Sequence, residues 1–276
     1  MTRRNGNGRE PARRGNARPF RELPGARRRV RWRRLGGFVT LVLGLSVLLV
    51  SVVVFSTVPG AVEEARAFRA AAECDGPAEG EPREAREGRD CLRSVNATVR
   101  SVTINKKSNP RDYRLFLSGP DGVPEELSLL GDGPVLKRLG SGDRIGVTMW
   151  RDRAVAITHG GLTQDGIDDP EGMPEISTGV GLVLLTAGGC LLYLGGHLVV
   201  RARDVAEHGP PPFYKDLSLG GVGTSLGAIP AVLAGNAAAG SAGDPVAGPV
   251  VTAVVWLVLA LVVTVLMRLL RGFLHP

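Results

Sequence analysis

The chain has 276 residues, a mean hydropathy of +0.07 and a formal net charge of +7. The charge is segregated: residues 1–34 carry thirteen arginines and two glutamates, whereas residues 59–176 carry 16 basic and 21 acidic residues. Four uncharged apolar runs, 35–61, 177–200, 217–243 and 245–267, exclude an ordinary soluble domain, and the one-sided basic tail argues for a membrane surface over nucleic acid.

Residues 1–34 lack apolar periodicity and are rich in Arg, Gly, Pro and Asn, a composition that predicts a disordered basic tail. Its last part, Arg27, Arg28, Arg29, Arg31, Arg33 and Arg34, abuts the first apolar run. Positive-inside bias places this cluster in the cytoplasm, on the anionic inner leaflet, at about 1 kcal/mol per basic residue. The run 35–58 is longer than a signal-peptide core and is followed by no clean cleavage site, so it predicts an uncleaved first transmembrane helix.

Residues 59–95 predict a helical stalk and an acidic loop. The stalk, AVEEARAFRAAAEC, has acids early and arginines late, as the helix dipole favours. The loop runs from Cys74 to Cys91. On the outer side of a membrane, where disulfides persist, these two predict a structural bond. Closing a loop of this length is worth roughly 3 kcal/mol on the chain-entropy model. Zinc would need more ligands than His159, the one histidine in this segment, and the spacing is unlike a redox C-x-x-C. Cys190, inside an apolar run, reads as a packing residue.

Residues 96–160 predict an extracytoplasmic β domain. NATVRSVTI, DYRLFLSG, EELSLLG, DRIGVTMW and RAVAITH are five short strands bounded by turn signals, with Arg151-Asp152 as a hairpin turn. Their number and length suit an SH3- or OB-sized antiparallel barrel or curled sheet. Residues 161–176 read as a polar linker. The second transmembrane helix, 177–200, stops at Arg201 and Arg203; residues 201–216 form a cytoplasmic loop in which PPPFY is a stiff connector. His197 is expected near the inner interface. The third helix, 217–239, is rich in small residues, and Gly223 and Gly227 form a GxxxG pair for helix packing. The fourth, 247–267, stops at Arg268 and Arg271, leaving residues 268–276 as a cytoplasmic tail. Four spans put every flanking arginine cluster on one side, with both termini cytoplasmic. The expected fold is thus an α+β membrane protein: four transmembrane helices, with the small barrel-like domain inserted between helices 1 and 2.

The segment GSGDRIGVTMWRDRAVAITHGGLTQDGIDDPEG resembles actinobacterial integral membrane proteins of uncharacterised function, in which a small β domain sits between transmembrane helices. Their G-D-x-[VI]-x-V-x-x-W-R-x-x-x-x-x-[VI] stretch corresponds to Gly142, Asp143, Ile145, Val147, Trp150, Arg151 and Ile157. The resemblance covers mainly residues 96–170. It implies the arrangement of domain and helices in a bacterial cell membrane, and no catalytic residues.

No G-x-S-x-G, H-E-x-x-H or P-loop pattern is present. No acid falls inside the four runs as bounded above, which argues against a proton or cation path. The expectation is a non-catalytic envelope-facing component for binding, sensing or assembly, with no cofactor or metal. Its partners would be the lipid bilayer and an envelope protein or cell-wall ligand, and the glycine-rich spans are compatible with a homo-oligomer. The alternative is a small transport- or channel-associated membrane subunit.

Overall fold

The computed structural model describes residues 26–74, 90–105, 107, 112–120, 122–129, 131–209, 211 and 213–274. The expected disorder of residues 1–25 and the acidic loop 75–89 lie outside the described residues. Four helical stretches are long and apolar enough to cross a membrane: Val30–Ala70, Pro170–Val200, Leu217–Ala242 and Ala247–Leu269.

Helix α1 (Ala26–Ala70) is continuous over 45 residues. At 1.5 Å per residue it is about 68 Å long, roughly twice a hydrocarbon core. Its start corrects the expected disorder of residues 26–34. Arginine is a good helix former, and the long apolar run that follows supplies the nucleus from which the helix propagates backwards. It also passes through Pro59. The missing N–H leaves the Phe55 carbonyl without its helical donor, but the alanine-rich segment beyond continues the helix to Ala70.

Helix α2 (Met173–Val200) runs antiparallel to α1 in the most extensive helix contact of the molecule. Small residues make this approach close. A Cβ on Gly195 would stand 2.6 Å from Leu41 N and 2.9 Å from Gly37 O; one on Gly44 would stand 2.7 Å from Leu192 N. Further along, Ser51 Oγ donates to Gly181 O at 2.9 Å. After a short helix α3 (Ala202–His208), the third apolar run divides into α4 (Phe213–Leu226) and α5 (Ala228–Ala242). The expected single span is interrupted at Gly227 because Pro230 cannot donate to the Leu226 carbonyl. Trp256 Nε1, from α6 (Ala247–Leu274), donates to the nearby Thr224 carbonyl at 3.0 Å.

Between α1 and α2 in the chain lie β1 (Leu92–Asn105), β2 (Asp112–Ser118), β3 (Glu126–Ser128), β4 (Arg144–Trp150), β5 (Arg153–His159) and β6 (Leu162–Asp165). They form one antiparallel sheet in the order β3-β2-β1-β4-β5-β6. Two expectations are corrected here. The sheet is not a closed barrel: β3 and β6 are its edges, joined only by an isolated bridge between Leu129 and Gly166. Each edge builds its ladder with its inner neighbour, β3 with β2 and β6 with β5. Residues 162–165, expected as linker, are instead the sixth strand. Gly160 and Gly161 both take positive φ (58° and 76°), the backbone that a two-residue hairpin requires.

Alternation sets the core. Leu115 and Leu117 on β2, and Ile145, Val147 and Met149 on β4, face inward and are buried. The fourteen-residue β1 pairs with β4 through its first half and with β2 through its second, with a register shift between Val99 and Ser101. That irregularity curls the sheet. The loop after β3 adds Val135 and Leu136 to the core. Gln164 on β6 holds that loop in place: its Oε1 accepts from Leu136 N and its Nε2 donates to Gly131 O, both at 3.0 Å.

Candidate functional site

The sheet and the helices meet at the C-terminal end of α1. Cys74 and Cys91 form a disulfide, as expected. Beside it, Leu92 N donates to Ala72 O and Cys74 N donates to Leu92 O. Trp150, at the end of β4, is fully buried, and Phe68 packs edge-on against it with ring centroids 5.4 Å apart. Arg151 takes positive φ (56°), unusual for a residue with a Cβ. That conformation places its guanidinium 4.2 Å over the Trp150 ring and in an ion pair with Asp90. Arg153 pairs with Glu64 of α1 at 2.7 Å. The expected helical stalk is the last part of α1, and Glu64, Phe68 and Arg69 on it contact both the sheet and the helix ends.

Just below this junction lies a polar node. Arg69 Nη1 donates to Ala239 O at 3.1 Å, near the C-terminus of α5, and its Nε reaches Glu171 Oε1 at 3.4 Å. Arg66 reaches Asp244, between α5 and α6, at 3.7 Å. Asp169 precedes a 3-10 turn (Pro170–Gly172) and accepts from Glu171 N at 3.1 Å. Burial pushes the Asp169 carboxyl above its ordinary value of 3.8, with Asp165 and Glu171 adding to the effect; the Glu171 N–H and Arg69 oppose it.

Glu175, in the first turn of α2, completes the node and is 0 % exposed. Neither of its carboxylate oxygens has a hydrogen-bond partner. It enters a notch between α5 and α6 made by two glycines. A Cβ on Gly248 would land on the Glu175 carboxylate; one on Gly235 would collide with Thr252 Oγ1, 2.7 Å from Gly248 O and 3.2 Å from Glu175 Cγ. Thr252 is also 0 % exposed, and its hydroxyl likewise has no partner. This pair corrects the expectation that the spans hold no acid. Counting uncharged residues started the second run after Glu175, whereas the helix starts before it; Pro174 at the first turn was the available signal.

The remaining sequence candidates lie elsewhere. Arg28, Arg31 and Arg34 are exposed on the first turns of α1, Arg33 is half-buried, and Arg27 and Arg29 belong to the same helix. Gly223 and Gly227 lie against α6, at ordinary contact distance from Val263 (3.4 Å) and the Leu259 Cβ (3.6 Å), and are not the tightest glycines of the bundle. His197 shares a 3.0 Å hydrogen bond with Tyr214 of the PPPFY segment. His159 Nδ1 donates to Arg144 O at 3.1 Å. Near Arg268, a groove of about 540 Å³ opens between α2, α4 and α6, lined in part by Cys190, Tyr193, Gly221 and Thr224. Among the described residues, no group of three or more His, Cys, Asp or Glu converges to hold a metal ion.

Comparison with family models, curated proteins and solved structures finds no match. What the chain does must be argued from these residues.

Proposed function

We propose that this is a multi-pass plasma-membrane protein with both termini cytoplasmic and residues 59–176 extracytoplasmic. It acts there as a non-catalytic component for binding, sensing or assembly at the cell envelope. The arginines flanking the helices support this orientation through the positive-inside rule. The Cys74–Cys91 disulfide supports it because such bonds persist in oxidising compartments. The observation that carries the binding reading is the clamped junction: Phe68 on Trp150, Glu64 on Arg153 and the disulfide hold a small sheet against the helix ends. A surface held this way presents its residues in fixed geometry, which lowers the entropic cost of binding a partner. The occupant would be an envelope protein or cell-wall ligand, with the basic end of α1 on anionic lipid.

Two measurements test it. A C-terminal reporter active only in the cytoplasm should be active, and activity from an externally sensitive reporter overturns the topology. Full-length protein crosslinked in intact membranes should capture an envelope component through sheet residues; crosslinks confined to the helices would sink the binding role.

A second reading, a small transport- or channel-associated subunit, draws on the helix interrupted at Gly227 and on the buried Glu175. Proton or solute flux in liposomes containing the purified protein would favour it.

A further inference from the structure

We propose that Glu175 is a proton-binding site, its carboxyl held with Thr252 in the notch between Gly235 and Gly248. This goes beyond the binding role above and rests on neither functional reading.

The argument starts from the two orphaned oxygens. A fully buried carboxylate is tolerated only when its charge is paired and its lone pairs are satisfied, because removing the ion from water costs several kcal/mol. No such pairing exists here. Arg69, the charged group facing the site from α1, is committed to Glu171 and the Ala239 carbonyl. The 3-10 turn contributes Glu171, and Asp169 lies just before it, both of the wrong sign. Asp244, between α5 and α6, is paired with Arg66. Helices α5 and α6 themselves offer Gly235, Gly248 and Thr252, none of them charged. Among the described residues no cation forms an ion pair with Glu175, which leaves neutralisation to a species from outside the chain.

Size selects the proton. The space that a methyl group would need at Gly248 is filled by the carboxylate itself, and the space at Gly235 by the Thr252 hydroxyl. Close packing of this kind leaves no shell of oxygens around a dehydrated metal cation, and among the described residues Glu175 belongs to no group of three or more His, Cys, Asp or Glu that could hold one. A proton needs one acceptor. Added to one carboxylate oxygen, it cancels the buried charge of Glu175 beside the equally unpartnered Thr252 hydroxyl. The glycines are what make the site: only residues without a Cβ let the acid enter.

The test is infrared difference spectroscopy of the full chain in bilayers, together with thermal unfolding as a function of pH. The wild type should show a protonated-carboxyl C=O band at neutral pH that is absent in E175Q. A group that keeps its proton in the fold stabilises at acidic pH and loses that effect as pH rises. The melting temperature should thus match E175Q at low pH and fall below it in alkaline buffer. T252V should shift the band without abolishing it, which gives a readout even if E175Q folds poorly. Absence of the band together with coincident pH profiles for wild type and E175Q would overturn the site. Stabilisation by sodium over choline at equal ionic strength, lost in E175Q, would assign a metal cation in place of the proton and overturn it equally.

Discussion

Arg69 faces more carboxylates than one guanidinium can pair: Glu171 takes its Nε, while Asp169 and Glu175 lie nearby without contact. Asp169 shows what this excess does. Burial holds its carboxyl above 3.8, so its ionised form is less stable in the fold than in the unfolded chain. The stability it contributes is complete below pH 3.8 and is lost as pH rises through the folded value. Asp169→Asn keeps an oxygen to accept from Glu171 N and removes the titrating charge. The variant should therefore melt at higher temperature than the wild type at pH 7, with the gap closing below pH 3.8; calorimetry across pH checks both. At this scale the sequence was partly legible. The bond between the two thiols was expected because the arginine pattern argued for an oxidising side of the membrane. The positive φ of Arg151 fits the hairpin that the Arg-Asp pair suggested. Glu175 was not legible, because its burial is made by Gly235 and Gly248, far along the chain, and nothing local in Met-Pro-Glu encodes them.

Among the helices, spacing decides more than composition. Gly37, Gly44 and Ser51 on α1 face Gly195, Gly188 and Gly181 on α2, each series stepping by seven residues. A seven-residue step returns to nearly the same helix face, so the two backbones can approach over several turns. The neighbouring glycines test this. A Cβ on Gly195 would strike backbone atoms of α1, whereas one on Gly196 meets nothing within 4 Å. Gly195→Leu should destabilise the bundle by about 1–3 kcal/mol through overpacking, while Gly196→Leu should leave it within about 0.5 kcal/mol; thermal unfolding in detergent compares them. The four spans were legible from length and hydropathy alone. Their mutual faces were not, since the GxxxG pair at Gly223 and Gly227 drew the eye to the looser contact with α6. The interruption at Gly227 was signalled by Pro230, but a proline in a membrane helix is often absorbed by its neighbours, so its effect had to be seen.

Taken whole, the molecule is a four-span bundle capped by a sheet, and the disulfide is the covalent link that shortens the path between them. Replacing both Cys74 and Cys91 by serine should cost roughly 3 kcal/mol on the chain-entropy model. Unfolding of the double variant, compared with oxidised wild type under non-reducing conditions, measures that loss; equal stability of the two would show the bond to be dispensable. The sheet itself was legible as β-rich from its alternating strands. Its openness was not, because closure depends on the edges β3 and β6 and on a loop held by Gln164, none of which has a periodic signature. One feature ties the two ends together. Helix α1 carries the arginine cluster at one end and ends beside the disulfide at the other, with no hinge between them. Its glycine face is meshed with α2, so the rod is held against a neighbour along several turns. One uninterrupted rod thus carries both the sheet contacts and the arginines, some 60 Å apart (about 1.5 Å per residue).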